Sequence, residues 1–132
     1  MLVDSAVAGL LHRYSVAFVA DHEQAATDFY TDDVVLRVPG RHGFAGEFRG
    51  RSAVAGALQA LSAATGGTIG ARAVRNATFS PSGAMVHAMM GAQSGGHTAE
   101  WQRVIVYRVS GQRISEITFH DFDTRAMEDL LR

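Results

Sequence analysis

The chain of 132 residues contains no cysteine, and this absence removes several classes of chemistry. Without thiols the protein has no disulfide bridge, no cysteine nucleophile and no cysteine-ligated metal. A chain without disulfides is also compatible with the reducing cytoplasm, where we expect this protein to be located.

Strong charge and long apolar runs are lacking as well. The formal net charge is −1 with the histidines neutral, and no basic stripe appears, so we expect no nucleic-acid partner. No run of 18 apolar residues exists, so we expect no membrane partner. Residues 1–24 are fairly apolar, but Asp4, His12 and Arg13 interrupt them and no basic n-region precedes them, which is unlike a signal peptide.

The motifs that usually hold a metal or a cofactor are missing. The chain has six histidines, but none shows His-x-His or HExxH spacing. No glycine-rich segment follows a strand and opens a helix, and no serine has the context of a nucleophile elbow. We therefore expect no metal site and no cofactor.

The pattern of apolar residues and breakers predicts one α+β domain over residues 1–132. Helices come first and a β-meander comes last, which favours a curved antiparallel sheet covered on one face by the N-terminal helices. Ser52 is the predicted N-cap of the third helix. The predicted helices cover residues 3–21, 22–30, 52–61 and 124–131, and the predicted strands cover 34–38, 68–80, 84–92, 98–109 and 114–122.

Residues 97–123 hold the strongest chemical hint, because they read as two long strands joined at Ser110–Arg113. In this hairpin Arg103 lies near His120 and one step from Asp121. Side chains alternate between faces, so a charge pair would lie on a mostly apolar face. The pair is a structural salt bridge or a catalytic pair, and both remain open. The predicted shared face consists of Trp101, Arg103, Ile105, Tyr107, Ile117, Phe119 and Asp121.

Two groups on this hairpin are candidates for acid/base chemistry. Asp121 is the predicted general base, because an apolar pocket raises the pKa of a carboxylate toward a useful range, although Arg103 opposes that rise. Its alternative role is a salt bridge or a helix N-cap. His120 alternates onto the opposite face and would join the site only if a strand bulge inverted the register.

Two further candidates come from other elements. His87 falls on the face of Arg103 if the turn at Gln93–His97 sets the register, and it is then a possible proton shuttle. Tyr14, on the first helix, could donate a hydrogen bond to a developing oxyanion. For both, the alternative is an ordinary core residue. The apolar side chains predicted to form a wall for a ring system are Trp101, Phe119, Met85, Met89, Phe44, Ile105 and Val38.

Five short segments carry a resemblance that covers nearly the whole chain: Phe29–Val34, Val38–Gly40, Ala45–Gly50, Val106–Val109 and Ile114–Glu116. Together with the order of elements, they resemble the NTF2-like superfamily and, within it, the SnoaL-like polyketide-cyclase group. The resemblance implies a cone-shaped α+β pocket, usually a homodimer, and often cofactor-free acid/base chemistry on a small apolar, ring-containing substrate.

Only part of a known site transfers through this resemblance. Tyr14 stands where steroid-isomerase relatives have their oxyanion tyrosine. Val38 and Ile105 stand where those relatives have acids, which argues against that mechanism here. Relatives of the epoxide-hydrolase and SnoaL-like type have a working Asp on the last strand, at the position of Phe119 and two residues before Asp121.

Two hypotheses of different classes follow. The first is a cofactor-independent polyketide cyclase or isomerase that acts by general acid/base chemistry on an apolar ring-containing carbonyl compound, with an epoxide hydrolase as its variant. The second is a non-catalytic small-molecule-binding or assembly subunit on the same scaffold. The first predicts a cavity in which the polar candidates converge. The second predicts that Arg103 and Asp121 are locked together with no substrate-sized space between them.

Overall fold

The chain folds into four helices and six strands over the residues described by a computed structural model, 2–20 and 24–131. Long strands dominate the second half, as the β-rich sequence there predicts. The elements are α1 (Leu2–Ala20), α2 (Gln24–Thr27), β1 (Tyr30–Val38), β2 (Gly46–Arg49), α3 (Arg51–Ala64), β3 (Gly70–Ser80), β4 (Gly83–Ser94), β5 (His97–Ser110), β6 (Arg113–Asp121) and α4 (Arg125–Leu130).

The six strands form one curved sheet in the order β2-β1-β6-β5-β4-β3. The last four strands pair in sequence as the predicted antiparallel meander. The prediction of an antiparallel sheet fails at one neighbour, because β1 lies parallel to β6. The chain crosses from β1 to the far edge through β2 and α3 before it returns, so the first and last strands meet side by side. The α+β class and the helix-covered sheet are confirmed.

The core lies between the helices and one face of this sheet. Val7, Leu11 and Tyr14 recur at three- and four-residue spacing on α1, so they lie on one stripe of the helix and are buried together. Val54 and Leu61 are the buried residues of α3. Each fully buried aliphatic side chain contributes about 1.5–3 kcal/mol, so these two helices are held chiefly by their apolar stripes.

The predicted second helix is too long. It was expected to run from His22 through Tyr30, but α2 ends at Thr27 and Tyr30 is the first residue of β1. The amide of Ile114 donates a hydrogen bond of 2.7 Å to the carbonyl of Phe29, and Tyr30 pairs with Ile114. Pairing with β6 therefore extends the strand toward the helix, and the predicted helical start at residues 22–23 lies outside the described residues.

The predicted N-cap of the third helix is also wrong. Ser52 lies inside α3, and Gly50 is the N-cap with φ of 93°. The amide of Gly50 donates to the carbonyl of Val34 at 2.8 Å, which ties the helix start to β1. This backbone conformation is one that a residue with a Cβ rarely adopts, so glycine occupies the position. Among residues 2–20 and 24–131, no helix combines the length and hydropathy that a membrane span requires.

Candidate functional site

A cavity of about 260 Å³ lies between α1, α3 and the concave face of the sheet. Its wall is mostly apolar, and the polar side chains in it are one cation and several hydroxyls. A cavity of this size and polarity suits a small organic molecule. The lining residues are Tyr14, Ser15, Phe18, Leu58, Leu61, Ser62, Gly67, Ile69, Gly70, Ala71, Met90, Arg103, Ile105, Tyr107, Ile117 and Phe119.

Arg103 and Asp121 form a buried, two-pronged ion pair beside this cavity. Arg103 Nε lies 2.6 Å from Asp121 Oδ1, and Nη2 lies 3.2 Å from Oδ2. The two side chains are only 2% and 1% exposed. Nη2 also contacts the sulfur of Met127 on α4 at 3.1 Å. Both carboxylate oxygens are therefore engaged by the guanidinium, and Asp121 does not line the cavity.

The guanidinium of Arg103 also stacks on aromatic rings. Its Cζ lies 4.1 Å from the ring centroid of Phe119 and 5.4 Å from that of Trp101. Such cation–π contacts stabilise a desolvated charge by about 1–2 kcal/mol. Among the described residues, Nη1 is the guanidinium nitrogen without a hydrogen-bond acceptor. Arg103 itself is one of the residues that line the cavity.

The strand register explains why the pair forms. The sequence placed Arg103 opposite His120 and one step from Asp121, whereas Arg103 lies directly opposite Asp121. The difference arises near the turn, where Val109 pairs with Ile114 but Arg108 pairs with Glu116. The bulge at the intervening residue shifts every later pair by one position. The predicted proximity of Arg103 and Asp121 on one face is confirmed.

Three tyrosines form a cluster at the cavity wall. The hydroxyls of Tyr14 and Tyr30 are 2.8 Å apart, so one donates a hydrogen bond to the other. The Tyr14 ring centroid lies 5.6 Å from that of Tyr30 and 6.4 Å from that of Tyr107. Tyr14 and Tyr107 line the cavity, whereas Tyr30 lies behind Tyr14 in the core.

Burial keeps these phenols protonated. It is the largest cause that raises the pKa of Tyr14 well above its ordinary value, and the neighbouring phenols Tyr30 and Tyr107 add to the rise. Burial likewise raises the pKa of Tyr30 to about 12 and that of Tyr107 to about 12. At neutral pH the phenols are therefore neutral hydrogen-bond donors.

Comparisons with known proteins identify the fold but not a family. No protein-family model matches the chain, and no curated protein matches it significantly. Among solved structures, Bal32a from a soil-derived mobile gene cassette is 22% identical, with 98% of this chain and 99% of that chain covered and a TM-score of 0.89. An NTF2-like protein from Burkholderia xenovorans LB400 is 18% identical, with 98% of both chains covered and a TM-score of 0.87. The chain has the NTF2-like fold.

A third solved structure contains a ligand. RV0760c from Mycobacterium tuberculosis, in complex with estradiol-17beta-hemisuccinate, is 16% identical, with 92% of this chain and 96% of that chain covered and a TM-score of 0.73. These likenesses confirm the resemblance to NTF2-like proteins at the level of fold. At such low identity they carry no residue roles into this chain.

Within this NTF2-like fold, His87 and its two flanking methionines are not where the sequence placed them. His87 pairs with Val104 and Ala88 pairs with Arg103, so His87, Met85 and Met89 lie on the outer face of the sheet. The reason is the turn: Gly95 and Gly96, both with positive φ, make a two-residue hairpin that pairs Ser94 with His97. This shifts the predicted register by one residue and inverts the face of every side chain on β4.

The outer face accounts for the surroundings of His87. Its Nε2 lies 2.8 Å from Gln102 Oε1, and its ring stacks on Phe122 with the centroids 5.3 Å apart. His120 is exposed and pairs with Val104, so it also lies on this face, as the alternation predicts. Neither imidazole reaches the cavity of the NTF2-like fold, and the prediction of His87 as a proton shuttle beside Arg103 loses its geometric basis.

The remaining predicted wall residues divide into two groups. Phe119 and Ile105 line the cavity as predicted. Trp101 and Val38 are buried in the core, and Phe44 packs against it, but these three are not among the lining residues. The cavity side of β4 is formed by Met90 instead of Met85 and Met89, because the inverted register turns even-numbered residues of that strand inward.

Tyr30, Tyr107 and Met127 contact Tyr14 or Arg103, and the sequence assigned none of the three a role in the site. Tyr107 shares the alternation of Arg103 and Ile105, so that pattern already placed it on the cavity face. Tyr30 was assigned to a helix, and no local pattern pairs it with Tyr14. Groups of three or more His, Cys, Asp or Glu that could hold a metal are not found within residues 2–20 and 24–131.

Proposed function

We propose that this protein binds a small, neutral, ring-containing molecule whose carbonyl or other acceptor oxygen lies against Arg103 and Tyr14. The observation that carries this proposal is the asymmetry of the cavity. Most of the wall is apolar, while a guanidinium and the phenols of Tyr14 and Tyr107 supply hydrogen-bond donors. An apolar ring system would fill the cavity, and its oxygen would accept hydrogen bonds that fix its orientation.

The charge balance of the site favours a neutral ligand. Asp121 already neutralises Arg103, and the phenols are uncharged at neutral pH. A ligand carboxylate would therefore bring an additional negative charge into an apolar space, which is costly. A neutral oxygen acceptor uses the free Nη1 donor of Arg103 without that cost.

The tyrosine pair gives the donor a direction. Because Tyr14 faces the cavity and Tyr30 does not, the arrangement suited to binding has Tyr30 donating to Tyr14 and Tyr14 donating to the ligand. A donor that itself accepts a hydrogen bond is strengthened by polarisation along the chain. In this proposal Tyr14 has the donor role expected from the sequence.

A second candidate function is cofactor-independent cyclase- or isomerase-type catalysis on the same ligand. Its support is that Tyr14 and Arg103 both line the cavity, and that a phenol and a guanidinium can polarise a carbonyl and stabilise a developing enolate oxygen. No carboxylate or imidazole occurs among the lining residues within the described part of the chain. We therefore propose Asp121 as a positioning residue for Arg103; its role as a general base, and with it epoxide hydrolysis, receives less support because both its oxygens are engaged.

The homodimer expected from the resemblance stays a proposal. Its support is the outer face of the sheet, where Met85 and Phe122 are 54% and 63% exposed. Large apolar side chains on one exposed face are typical of a surface that associates.

Replacing Tyr14 by Phe tests the polar end of the site. We expect this variant to bind 2-tetralone, a bicyclic ketone, about two- to tenfold more weakly, because one hydrogen bond is lost. Its affinity for tetralin, the hydrocarbon of the same shape, should not change. Tyr30→Phe is the matched control, since it removes a phenol behind the wall and should weaken 2-tetralone binding less. Affinities would be measured by NMR titration.

The two candidate functions give different results in one further assay. An enolising enzyme would accelerate exchange of the α-protons of 2-tetralone with deuterium oxide, and Tyr14→Phe would slow this exchange by about 10²–10³-fold. Binding without accelerated exchange supports the binding function alone. Equal losses of affinity for the ketone and the hydrocarbon in Tyr14→Phe would contradict the proposed hydrogen bond.

A further inference from the structure

The loop between β1 and β2, residues 39–45, is folded back against α4 by specific hydrogen bonds. The amide of Ala45 donates to the carbonyl of His42 at 3.1 Å, which closes a β-turn over residues 42–45. The amide of Phe44 donates to the imidazole Nδ1 of His42 at 3.1 Å. The amide of Arg41 donates to Glu128 Oε2 on α4 at 3.0 Å.

The hydrogen bond from Phe44 fixes the protonation state of His42. A nitrogen that accepts a hydrogen bond carries no proton, so the proton of the neutral ring lies on Nε2. Nε2 is buried. A doubly protonated imidazole has no lone pair on Nδ1 and cannot accept from Phe44. Protonation of the ring and this hydrogen bond from Phe44 are therefore mutually exclusive.

Charged groups from three elements surround His42, and burial outweighs them. The backbone of Pro39, Glu128 on α4 and Asp121 on β6 favour the protonated ring and raise the pKa of His42, whereas Arg103 on β5 lowers it. Burial is the largest cause and lowers the pKa of His42 below its ordinary value of 6.5. The surroundings are also crowded, because a Cβ added at Gly40 would lie 3.2 Å from the His42 ring and 3.3 Å from Glu128 Oε2.

We propose that His42 is an acid-sensitive latch, whose neutral ring holds the turn at residues 42–45 closed and whose protonation releases it. Release of this turn affects the hydrophobic core, because Phe44 packs against it. The same α4 that accepts the hydrogen bond from Arg41 carries Met127, which contacts Arg103. The latch thus joins the β1–β2 loop to the element beside the buried ion pair.

The latch also predicts the direction of a pH effect on stability. The folded state favours the neutral ring of His42, and this preference contributes to the free energy of unfolding. The contribution is fully present above the pKa of about 6.5 that His has in an unfolded chain. That contribution is lost as the pH falls below this value and down to the lower pKa of the folded state. The loss of stability therefore begins below about pH 6.5.

Two-dimensional ¹H–¹⁵N NMR of the whole protein between pH 7.5 and 5 tests the latch. The amide of Phe44 should shift in step with the titration of the His42 ring, and its hydrogen exchange, corrected for the pH dependence of the chemistry, should quicken about two- to tenfold. His42→Asn is the matched variant. An Asn oxygen can accept from the amide two residues on without titrating, so Phe44 should stay protected at both pH values.

His42→Phe completes the comparison, because it keeps an aromatic ring but removes the acceptor. In this variant the Phe44 amide should exchange rapidly at every pH. An amide of Phe44 that does not respond while His42 titrates in the wild-type protein would overturn the proposal. So would the same pH response in His42→Asn. None of these readouts involves a ligand, so they are independent of the proposed binding function.

Discussion

Arg103→Met is expected to lower the free energy of unfolding by about 3–5 kcal/mol, because it leaves the buried carboxylate of Asp121 without its partner. The same change removes the stacking of the guanidinium on Phe119 and Trp101. Asp121→Leu should cost a similar amount, since it leaves the guanidinium uncompensated. Urea unfolding followed by circular dichroism measures both values.

The double variant Arg103→Met/Asp121→Leu distinguishes the interaction between the two side chains from their interactions with neighbouring residues. Replacing a buried ion pair by apolar side chains is often neutral, so the double variant should be more stable than either single variant by about 2 kcal/mol or more. If the double variant lost as much stability as the two single variants together, that result would contradict a direct interaction between Arg103 and Asp121. A stable double variant that no longer binds 2-tetralone would further show that the pair serves the site, not the fold.

The protein should lose stability as the pH rises from about 10 to about 12. The chain has three tyrosines and no lysine or cysteine. Tyrosine is therefore the side chain that titrates in this range, because arginine titrates only at higher pH. The pKa of a tyrosine in an unfolded chain is about 10, whereas folding raises the pKa of Tyr30 and Tyr107 to about 12. The unfolded chain therefore releases its phenol protons first.

The sign and size of this alkaline effect follow from proton linkage. Between these pH values the native state binds more protons than the unfolded state, so stability falls with pH. A rise of two units corresponds to about 2–3 kcal/mol for one tyrosine. Urea unfolding at pH 9 and at pH 11.5 measures the loss, and absorbance at 295 nm reports ionisation.

Tyr107→Phe is the control for the alkaline prediction. It keeps the ring and removes one titrating group, so its loss of stability between pH 9 and pH 11.5 should be smaller by about 2 kcal/mol. Ionisation of all three tyrosines near pH 10 while the protein remains folded would contradict the buried cluster.

The sequence predicted much of the sheet because period-two alternation and glycine turns are local signals. The long strands, the helix-covered face and the closeness of Arg103 and Asp121 all follow from them. The resemblance to NTF2-like proteins added the cone, which structural comparison confirms at the level of fold. Tyr14 lies on the buried stripe of α1, at three- and four-residue spacing with Val7 and Leu11.

The errors on β4 and β5 have one physical cause, because a shift of one residue in strand register moves a side chain to the other face of the sheet. The two-residue turn at Gly95–Gly96 turned His87, Met85 and Met89 outward, and the turn chemistry alone did not specify its length. The bulge at Ser115, between Ile114 and Glu116, shifted the register by one residue and brought Asp121 directly opposite Arg103. Tyr30 depends on pairing with β6, a strand more than eighty residues away, which no local pattern reveals.

The central claim is that the cavity beneath Arg103 and Tyr14 binds a small ring-containing ketone, and a matched pair on one strand tests it. Ile105 lines the cavity, whereas Val104, the preceding residue, lies on the outer face. Titration of wild-type protein with 2-tetralone, followed by NMR, should show saturable binding with a dissociation constant of about 1 mM or tighter. Ile105→Phe should abolish that binding by filling the cavity, and Val104→Phe should leave it unchanged. Absence of binding to the wild type, or equal binding by the folded Ile105→Phe variant, would contradict the account.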